Sequence, residues 1–168
     1  MFKKILVPLD GSDLAAQILP QVEELAKAFK SEITLITVGN LLTVATSEEF
    51  SYKNVEQFAT DLKVAAEKKL GAYTSAMKAK GLNVNSVYVE GFPARDIIAY
   101  AAGKGYDLIA MATHGRGEIA WVLGSVAEKV VSHATVPVLL MRVLPVEQPV
   151  SKKDYVGRAT IDDSEMPA

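Results

Sequence analysis

Five short apolar runs alternate with helical patterns, and this alternation limits the possible folds more than any other feature of the sequence. The runs have the length and composition of strands in a parallel sheet. Between them, apolar residues recur every three or four positions, as on one face of a helix. The order βαβαβαβαβ requires right-handed crossovers, so we predict a doubly wound α/β domain with five parallel strands and helices on both faces. The predicted strands are Lys3–Leu9, Glu32–Val38, Val84–Val89, Leu108–Ala112 and Val136–Arg142.

The segments between the strands differ in character. Pro20 interrupts the first helical pattern and is expected to remove a hydrogen bond and kink that helix. The apolar stripe between Val55 and Met77 predicts a long helix packed in the core. Residues 39–52 form an irregular connection that is long enough to act as a lid or a partner surface. Because apolar and polar residues alternate in Val84–Val89, we expect that strand nearer a sheet edge.

Composition excludes several classes of function. A net charge of -2 argues against a nucleic-acid partner, which would require a basic surface. The absence of cysteine excludes disulfides, thiolate metal sites and cysteine nucleophiles. No apolar stretch reaches the length of a transmembrane helix, and Asp10 ends the apolar start too early for a signal peptide. We therefore expect a cytoplasmic protein without a membrane partner.

The end of the chain differs from the rest. From Leu144 onwards the sequence has three prolines, several charges and no periodicity. We predict one domain over residues 1–143, followed by a tail over 144–168 that is extended or disordered beyond about Val150.

The stretch from Leu108 to Met141 is the part most suited to contact a ligand. A predicted buried strand is followed by a glycine-bearing loop, and Ser125 then begins a helical pattern. Such a loop exposes backbone N–H groups, and the helix adds its dipole and its own unpaired donors. The sequence therefore predicts an anion-binding cradle here.

Ordinary structural explanations compete with that interpretation. Ser125 followed by Glu128 fits a capping box, so Ser125 could simply cap its own helix. Gly124 could be present because the turn needs a positive φ. The series Gly115-x-Gly117-x-x-Ala120 also matches a relaxed dinucleotide fingerprint, but it comes late in the chain and precedes the helical face.

The topology places a second set of residues beside this cradle. Ligands of open parallel sheets bind at the carboxyl ends of strands where the strand order reverses, and strands one and four are the natural neighbours there. Asp10 would then lie near Met111–Gly115. A carboxylate repels phosphate, so its partners would be ribose hydroxyls or an adenine amino group; alternatively, Asp10 is only a turn residue that caps a helix. Backbone groups of Val38 and Met111 could hydrogen-bond a base.

Several separated motifs together resemble one known family, the universal stress proteins. The resemblance covers about Met1–Arg142 and rests on these segments: Ile5-Leu-Val-Pro-Leu-Asp-Gly-Ser12, Gly91-Phe-Pro-Ala94, Tyr106-Asp-Leu-Ile109, Thr113-His-Gly-Arg-Gly117, Gly124-Ser-Val-Ala-Glu128 and Val136-Pro-Val138. It implies a Rossmann-like fold, a homodimer and, in one branch of the family, ATP binding through Gly-x2-Gly-x9-Gly-Ser/Thr.

The resemblance also implies which residues bind the nucleotide. Gly115 takes the place of the middle glycine, Gly124 that of the last, and Ser125 that of the hydroxyl residue. The cofactor would be ATP, ADP or AMP, with magnesium as a possible companion of the phosphates. The full set of expected binding residues is Pro8, Asp10, Val38, Met111, Thr113, His114, Gly115, Arg116, Gly117, Gly124, Ser125 and Val126.

Two departures from the family pattern affect the phosphate loop. Ala112 stands where the first glycine is expected, which is a mild change if the backbone there has a negative φ. Only eight residues separate Gly115 from Gly124, one fewer than in the pattern. The contacts of residues 116–123 therefore cannot be transferred individually, and the shorter loop predicts weak discrimination between AMP, ADP and ATP.

The remaining candidates indicate binding more than catalysis. His114 has no obvious acid partner, and His133 near a helix end would contact the helix dipole. With no second ligand at metal spacing, a zinc site is not expected. Arg116 could meet phosphate or be solvated, and Trp121 is expected to pack near a subunit contact. No Gly-x4-Gly-Lys-Ser/Thr motif and no nucleophile–base pair are present.

The sequence therefore supports an adenine-nucleotide-binding regulatory protein of the stress response. A nucleotide-free dimeric interaction module and a slow ATP hydrolase are the alternatives. The apolar fifth strand, Val136–Met141, would lie at a sheet edge, where strands pair readily. The resemblance implies a two-fold homodimer through that edge.

Overall fold

The computed structural model describes residues 2–40, 55–113 and 123–143. Its helices and strands follow the predicted order and differ from the predicted bounds mainly at their ends. The elements are β1 (Lys4–Pro8), α1 (Asp13–Ala16), α2 (Leu19–Phe29), β2 (Glu32–Gly39), α3 (Val55–Ala79), β3 (Asn83–Glu90), α4 (Pro93–Gly103), β4 (Leu108–Ala112), α5 (Ser125–His133) and β5 (Val138–Met141).

The five strands form one parallel sheet in the order β3-β2-β1-β4-β5. β1 lies at the centre, paired with β2 through Pro8 and Ile36 and with β4 through Leu6 and Ile109. β3 and β5 lie at the two edges, as the sequence predicted. The doubly wound α/β architecture is therefore confirmed.

Each face of the sheet carries its own hydrophobic core. Side chains of α1, α2 and α3 pack on one face, against Ile5 and Val7 of β1. Side chains of α4 and α5 pack on the other face, against Leu6 of β1 and Met111 of β4. Because β1 leads to helices on the first face and β4 to a helix on the second, the strand order reverses between these two strands.

Pro20 separates two helices instead of kinking one. α1 ends at Ala16, and Pro20 lies in the first turn of α2. Proline costs no intrahelical hydrogen bond there, since the first N–H groups of a helix have no acceptor within it. The predicted kink is therefore wrong, and the proline marks a helix start.

Among the stripe residues of α3 whose side chains the structure describes, burial is confined to the carboxyl half of the helix. Leu70 and Met77 are fully buried, whereas Phe58 and Leu62 are only half-buried. Val64, elsewhere on the helix, is 57% exposed. The prediction of a core-packed stripe thus holds for the second half of α3.

The fifth strand is shorter than predicted. It begins at Val138, because Pro137 has no N–H to contribute to a ladder. The Pro137 carbonyl still accepts a 3.0 Å hydrogen bond from the Ile109 N–H, so the pairing with β4 starts one residue before the strand.

At the amino ends of the strands, the structure explains the motif Tyr106-Asp-Leu-Ile109 by hydrogen bonds that support the fold. The Asp107 carboxylate accepts hydrogen bonds from the backbone N–H groups of Lys3 (2.8 Å) and Lys4 (3.2 Å) and so fixes the start of β1. The buried Tyr106 hydroxyl donates to Thr34 Oγ1 at 2.8 Å. These residues lie at the amino ends of the strands, away from the crevice that the topology assigns to a ligand. No helix within the described ranges is long and apolar enough to cross a membrane.

Candidate functional site

The chain leaves the carboxyl ends of β1 and β4 in opposite directions, and this arrangement forms the ligand crevice of open parallel sheets. After Pro8, the Leu9 N–H donates to the Ile36 carbonyl of β2 at 2.8 Å. After β4, the Thr113 N–H donates to the Met141 carbonyl of β5 at 2.9 Å. This is the topological switch point at which open α/β sheets bind ligands.

The turn after β1 presents Asp10 at one side of this crevice. Asp10 is exposed, and its Oδ1 accepts hydrogen bonds from the Ser12 N–H (2.9 Å) and the Ser12 hydroxyl (2.6 Å). Ser12 Oγ in turn accepts from the Ala15 N–H at 3.1 Å and caps α1. Gly11 has a φ of 79°, which the turn requires. The capping residue is therefore Ser12, while Asp10 orders the turn and keeps its carboxylate at the surface.

The other strand of this switch point, β4, leads to α5. Gly124 is the residue before the helix, with φ −56° and ψ 143°, and no side-chain capping bond is made. A need for positive φ therefore does not explain Gly124. The capping-box interpretation of Ser125 is also wrong, because Ser125 is exposed and already the first residue of the helix.

Among the described residues, the backbone donor at this helix start with an acceptor outside the helix is the Gly124 N–H. The Gly124 N–H donates to the Thr113 carbonyl at 3.0 Å, which brings the two ends of the intervening loop together. The Gly124 carbonyl accepts the first helical bond, from the Glu128 N–H at 2.9 Å. The N–H groups of Ser125, Val126 and Ala127 have no acceptor within the helix, as in the first turn of any helix.

The middle of the predicted cradle lies outside the described residues. This applies to His114, Gly115, Arg116, Gly117 and Trp121, and their expected roles stay predictions. Ala112, the first departure from the family pattern, is described. It is buried in the core on the α1–α3 face of β4 and is not among the residues with positive φ, so alanine fits there without strain.

Val38 and Met111 lie on the same face of the sheet, in the core that α4 and α5 cover. Val38 is half-buried and Met111 is 5% exposed. They belong to β2 and β4, the two neighbours of β1, so they flank the central strand at the carboxyl side of the sheet. This arrangement is compatible with their predicted contact to a base.

The turn between β3 and α4 contains an interaction that the sequence did not reveal. The Asp96 carboxylate accepts from the Phe92 N–H at 2.6 Å and from the Arg95 guanidinium at 2.9 and 3.0 Å. A Cβ atom on Gly91 would clash with Asp96 Oδ2. The Gly91 N–H donates to the Gly39 carbonyl at 2.9 Å, which fixes this turn beside the end of β2. In the sequence, the one sign of this interaction is that Asp96 is an acidic residue in the first turn of α4.

The pKa values of Asp96 and Tyr88, near the carboxyl end of β3, are shifted by their surroundings. The hydrogen bond from Arg95, with a smaller contribution from the Phe92 N–H, lowers the pKa of Asp96 against the opposing effect of burial. Burial raises the pKa of Tyr88, and Glu90 and Glu67 add to that effect.

Across the three described ranges, no group of three His, Asp or Glu side chains could hold a metal ion. His133 Nδ1 lies 3.0 Å from the Lys129 carbonyl in the last turn of α5, where a histidine complements the helix dipole.

Comparison with known proteins gives the family. A sequence model of the universal stress protein family matches residues 1–142. The chain belongs to this family. The universal stress protein YxiE of Bacillus subtilis is 33% identical over 152 residues, a match that covers 84% of this chain and 100% of that protein. Universal stress protein MJ0531 of Methanocaldococcus jannaschii is 31% identical over 144 residues, covering 84% of this chain and 83% of that protein.

Solved structures agree with the fold of this universal stress protein. The structure of MJ0577, a universal stress protein of Methanocaldococcus jannaschii, superposes with a TM-score of 0.75 at 28% identity, covering 87% of this chain and 99% of that one. A universal stress protein in complex with cAMP has a TM-score of 0.58 at 21% identity, covering 85% and 98% of the two chains. One from Archaeoglobus fulgidus in complex with dAMP has a TM-score of 0.58 at 19% identity, covering 83% and 98%.

Proposed function

We propose that this universal stress protein binds an adenine nucleotide in the crevice between β1 and β4 and acts in the stress response as a homodimeric, cytoplasmic regulator. The proposal rests on one observation: two features lie at the topological switch point between β1 and β4. An exposed carboxylate, Asp10, follows β1, and a helix start whose first N–H groups have no acceptor within the helix, at Ser125, follows β4.

The two features suit different parts of a nucleotide. A carboxylate accepts hydrogen bonds from ribose hydroxyls and repels phosphate. The start of α5 has the opposite preference, because its N–H groups and dipole favour an anion. A nucleotide laid across the crevice with its ribose at Asp10 and its phosphates at Ser125 and Val126 satisfies both.

The remaining predicted residues complete this placement. The base would lie toward Val38 and Met111, with Pro8 at the bottom of the crevice. Thr113, His114, Gly115, Arg116 and Gly117 would surround the phosphates, with magnesium as a possible companion. Two proteins of the same fold hold cAMP and dAMP, each with one adenine, one sugar and one phosphate. These two ligands support an adenine nucleotide in general, and the proposed cofactor is ATP, ADP or AMP, as the family resemblance implies.

The proposed role is binding, with at most slow ATP hydrolysis. Asp10 Oδ1 already accepts two hydrogen bonds from Ser12, which suits a fixed recognition group better than a general base.

Analysis of the purified protein for bound nucleotide tests the proposal. The protein is denatured after extensive washing, and the released small molecules are separated by ion-exchange chromatography with ultraviolet detection. We expect adenine nucleotide, or its uptake after incubation with millimolar ATP or AMP. A protein that releases no nucleotide and takes none up would instead be a nucleotide-free interaction module.

A further inference from the structure

A lysine of the long helix α3 contacts the turn that carries Asp10. Lys69 Nζ donates to the Gly11 carbonyl at 2.6 Å and lies 3.6 Å from Asp13 Oδ1. The two partners are 58 positions apart in sequence. The contact therefore connects α3 to the proposed nucleotide site.

The contact acts on one peptide group. The Gly11 carbonyl and the Ser12 N–H belong to the same planar unit, and that N–H donates to Asp10 Oδ1 at 2.9 Å. Lys69 therefore holds the oxygen end of the peptide while Asp10 accepts from its nitrogen end. Gly11 has a φ of 79° and no side chain of its own, so the orientation of this peptide depends on the hydrogen bonds at its two ends.

The charges reinforce each other along this path. An ammonium group at the carbonyl oxygen polarises the peptide and makes its N–H a stronger donor, and an ionised acceptor at the other end has the same effect. The path Lys69, peptide 11–12, Asp10 is thus a short chain of cooperating hydrogen bonds.

We propose that Lys69 is a positioning residue for the nucleotide site: through peptide 11–12 it holds the Asp10 carboxylate in the orientation that receives the ribose. This inference rests on the proposed function. It adds one residue of α3, Lys69, to the binding machinery, and that residue acts through the turn that carries Asp10.

Titration calorimetry on Lys69→Ala, with Lys68→Ala as the matched control, tests the inference. Lys68 is the neighbouring exposed lysine of α3, and it makes no hydrogen bond or ion pair to a described residue. The ligands are adenosine, AMP and ATP. We expect Lys69→Ala to weaken all three by a similar factor, about three- to tenfold, and Lys68→Ala to leave them unchanged.

The choice of ligands separates positioning from direct contact. If Lys69 touched the phosphates, the loss would be absent with adenosine and would grow from AMP to ATP, and the inference would be overturned. Lys69→Arg, which keeps a cationic donor, is expected to recover part of the affinity. Thermal melts should remain close to those of the parent protein, since an exposed ion pair contributes little to stability.

A double-mutant cycle with Asp10→Ala shows whether Lys69 acts through Asp10. In the Asp10→Ala background, Lys69→Ala should have no further effect on adenosine affinity. Additive effects would overturn the inference. If the parent protein binds AMP and Lys69→Ala behaves like Lys68→Ala, only this inference fails; if the parent protein binds no ligand, the proposed function fails with it.

Discussion

Ser125 shows how one residue admits two explanations that the structure separates. The sequence allowed it to be a helix cap, but the cap position belongs to Gly124 and the Ser125 side chain is exposed. The structure therefore gives no support to a capping role for Ser125, and the proposed role in phosphate binding is the one to test.

Ser125→Ala should lower nucleotide affinity without lowering stability. We expect a loss of about 1–3 kcal/mol in binding free energy, because a hydroxyl that donates to a charged phosphate is lost. The melting temperature should stay within experimental error of the parent value. Calorimetric titration and thermal melts on the same preparations check both expectations. The reverse pattern, unchanged affinity with a destabilisation of about 0.5–2 kcal/mol, would mean that the serine caps the helix after all.

Asp96 gives a second prediction at this scale, about stability. Its carboxylate accepts from the Phe92 N–H and from Arg95, so Asp96→Asn should destabilise the fold by about 0.5–1.5 kcal/mol at neutral pH. Because the folded pKa of Asp96 is lowered, its contribution is complete above the ordinary pKa of about 4 and is lost as the pH falls through the lowered value. The difference between parent and variant in urea unfolding should therefore shrink below about pH 4. A difference that is constant with pH would contradict this assignment.

At the scale of elements, the sequence predicted most of the fold because strand and helix patterns are local. The order of elements, the bounds of β4, the start of α5 at Ser125 and the edge position of β3 all follow from periodicity. Pro20 was harder, since one proline is compatible with either a kinked helix or a new helix, and packing of α1 and α2 decides between them. The partial exposure of the α3 stripe could not be predicted either. Helical periodicity shows which residues share a face, but it does not show how much of that face the sheet covers.

The candidate site was predictable only in part. Topology placed Asp10 and the β4–α5 segment together, and the structure confirms that these strands are neighbours. The bonds of Asp96 and Lys69 connect residues through turn geometry that no periodic pattern encodes. The central loop residues, from His114 to Gly117, lie outside the described residues.

The shortened loop between β4 and α5 predicts weak selectivity for phosphate number. The hydrogen bond between the Gly124 N–H and the Thr113 carbonyl fixes the two ends of the loop together. The loop has one residue fewer than the family pattern, and this shortens the reach of an extended chain by about 3.3–3.6 Å. This length is comparable to the spacing between one phosphate group of ATP and the next. We expect AMP and ADP to bind within about tenfold of ATP, a difference below roughly 1.4 kcal/mol. Competition between the three nucleotides at fixed magnesium measures this, and a preference for ATP of about a hundredfold or more would show that the loop still holds the terminal phosphate.

At the scale of the whole molecule, β5 is the element most suited to join two copies. It is an edge strand, and Leu139 is 37% exposed on it. An apolar edge pairs readily with another strand, which supports the proposed two-fold dimer. Leu139→Lys should convert the dimer to a monomer in sedimentation velocity at micromolar concentration. The matched control is Val64→Lys, which replaces another exposed apolar residue, on α3, and should leave the dimer intact. A parent protein that sediments as a monomer would contradict the assembly.

The most direct test of the nucleotide site is titration of ATP and AMP into the parent protein and Gly124→Val. The backbone at Gly124 has a φ of −56°, which valine adopts without strain, so the fold should be retained. The added side chain would stand where phosphate approaches the start of α5. We predict measurable binding of both nucleotides to the parent protein, no detectable binding to Gly124→Val, and unchanged far-ultraviolet circular dichroism. Equal affinity of the two proteins would contradict the placement of the phosphates at this helix.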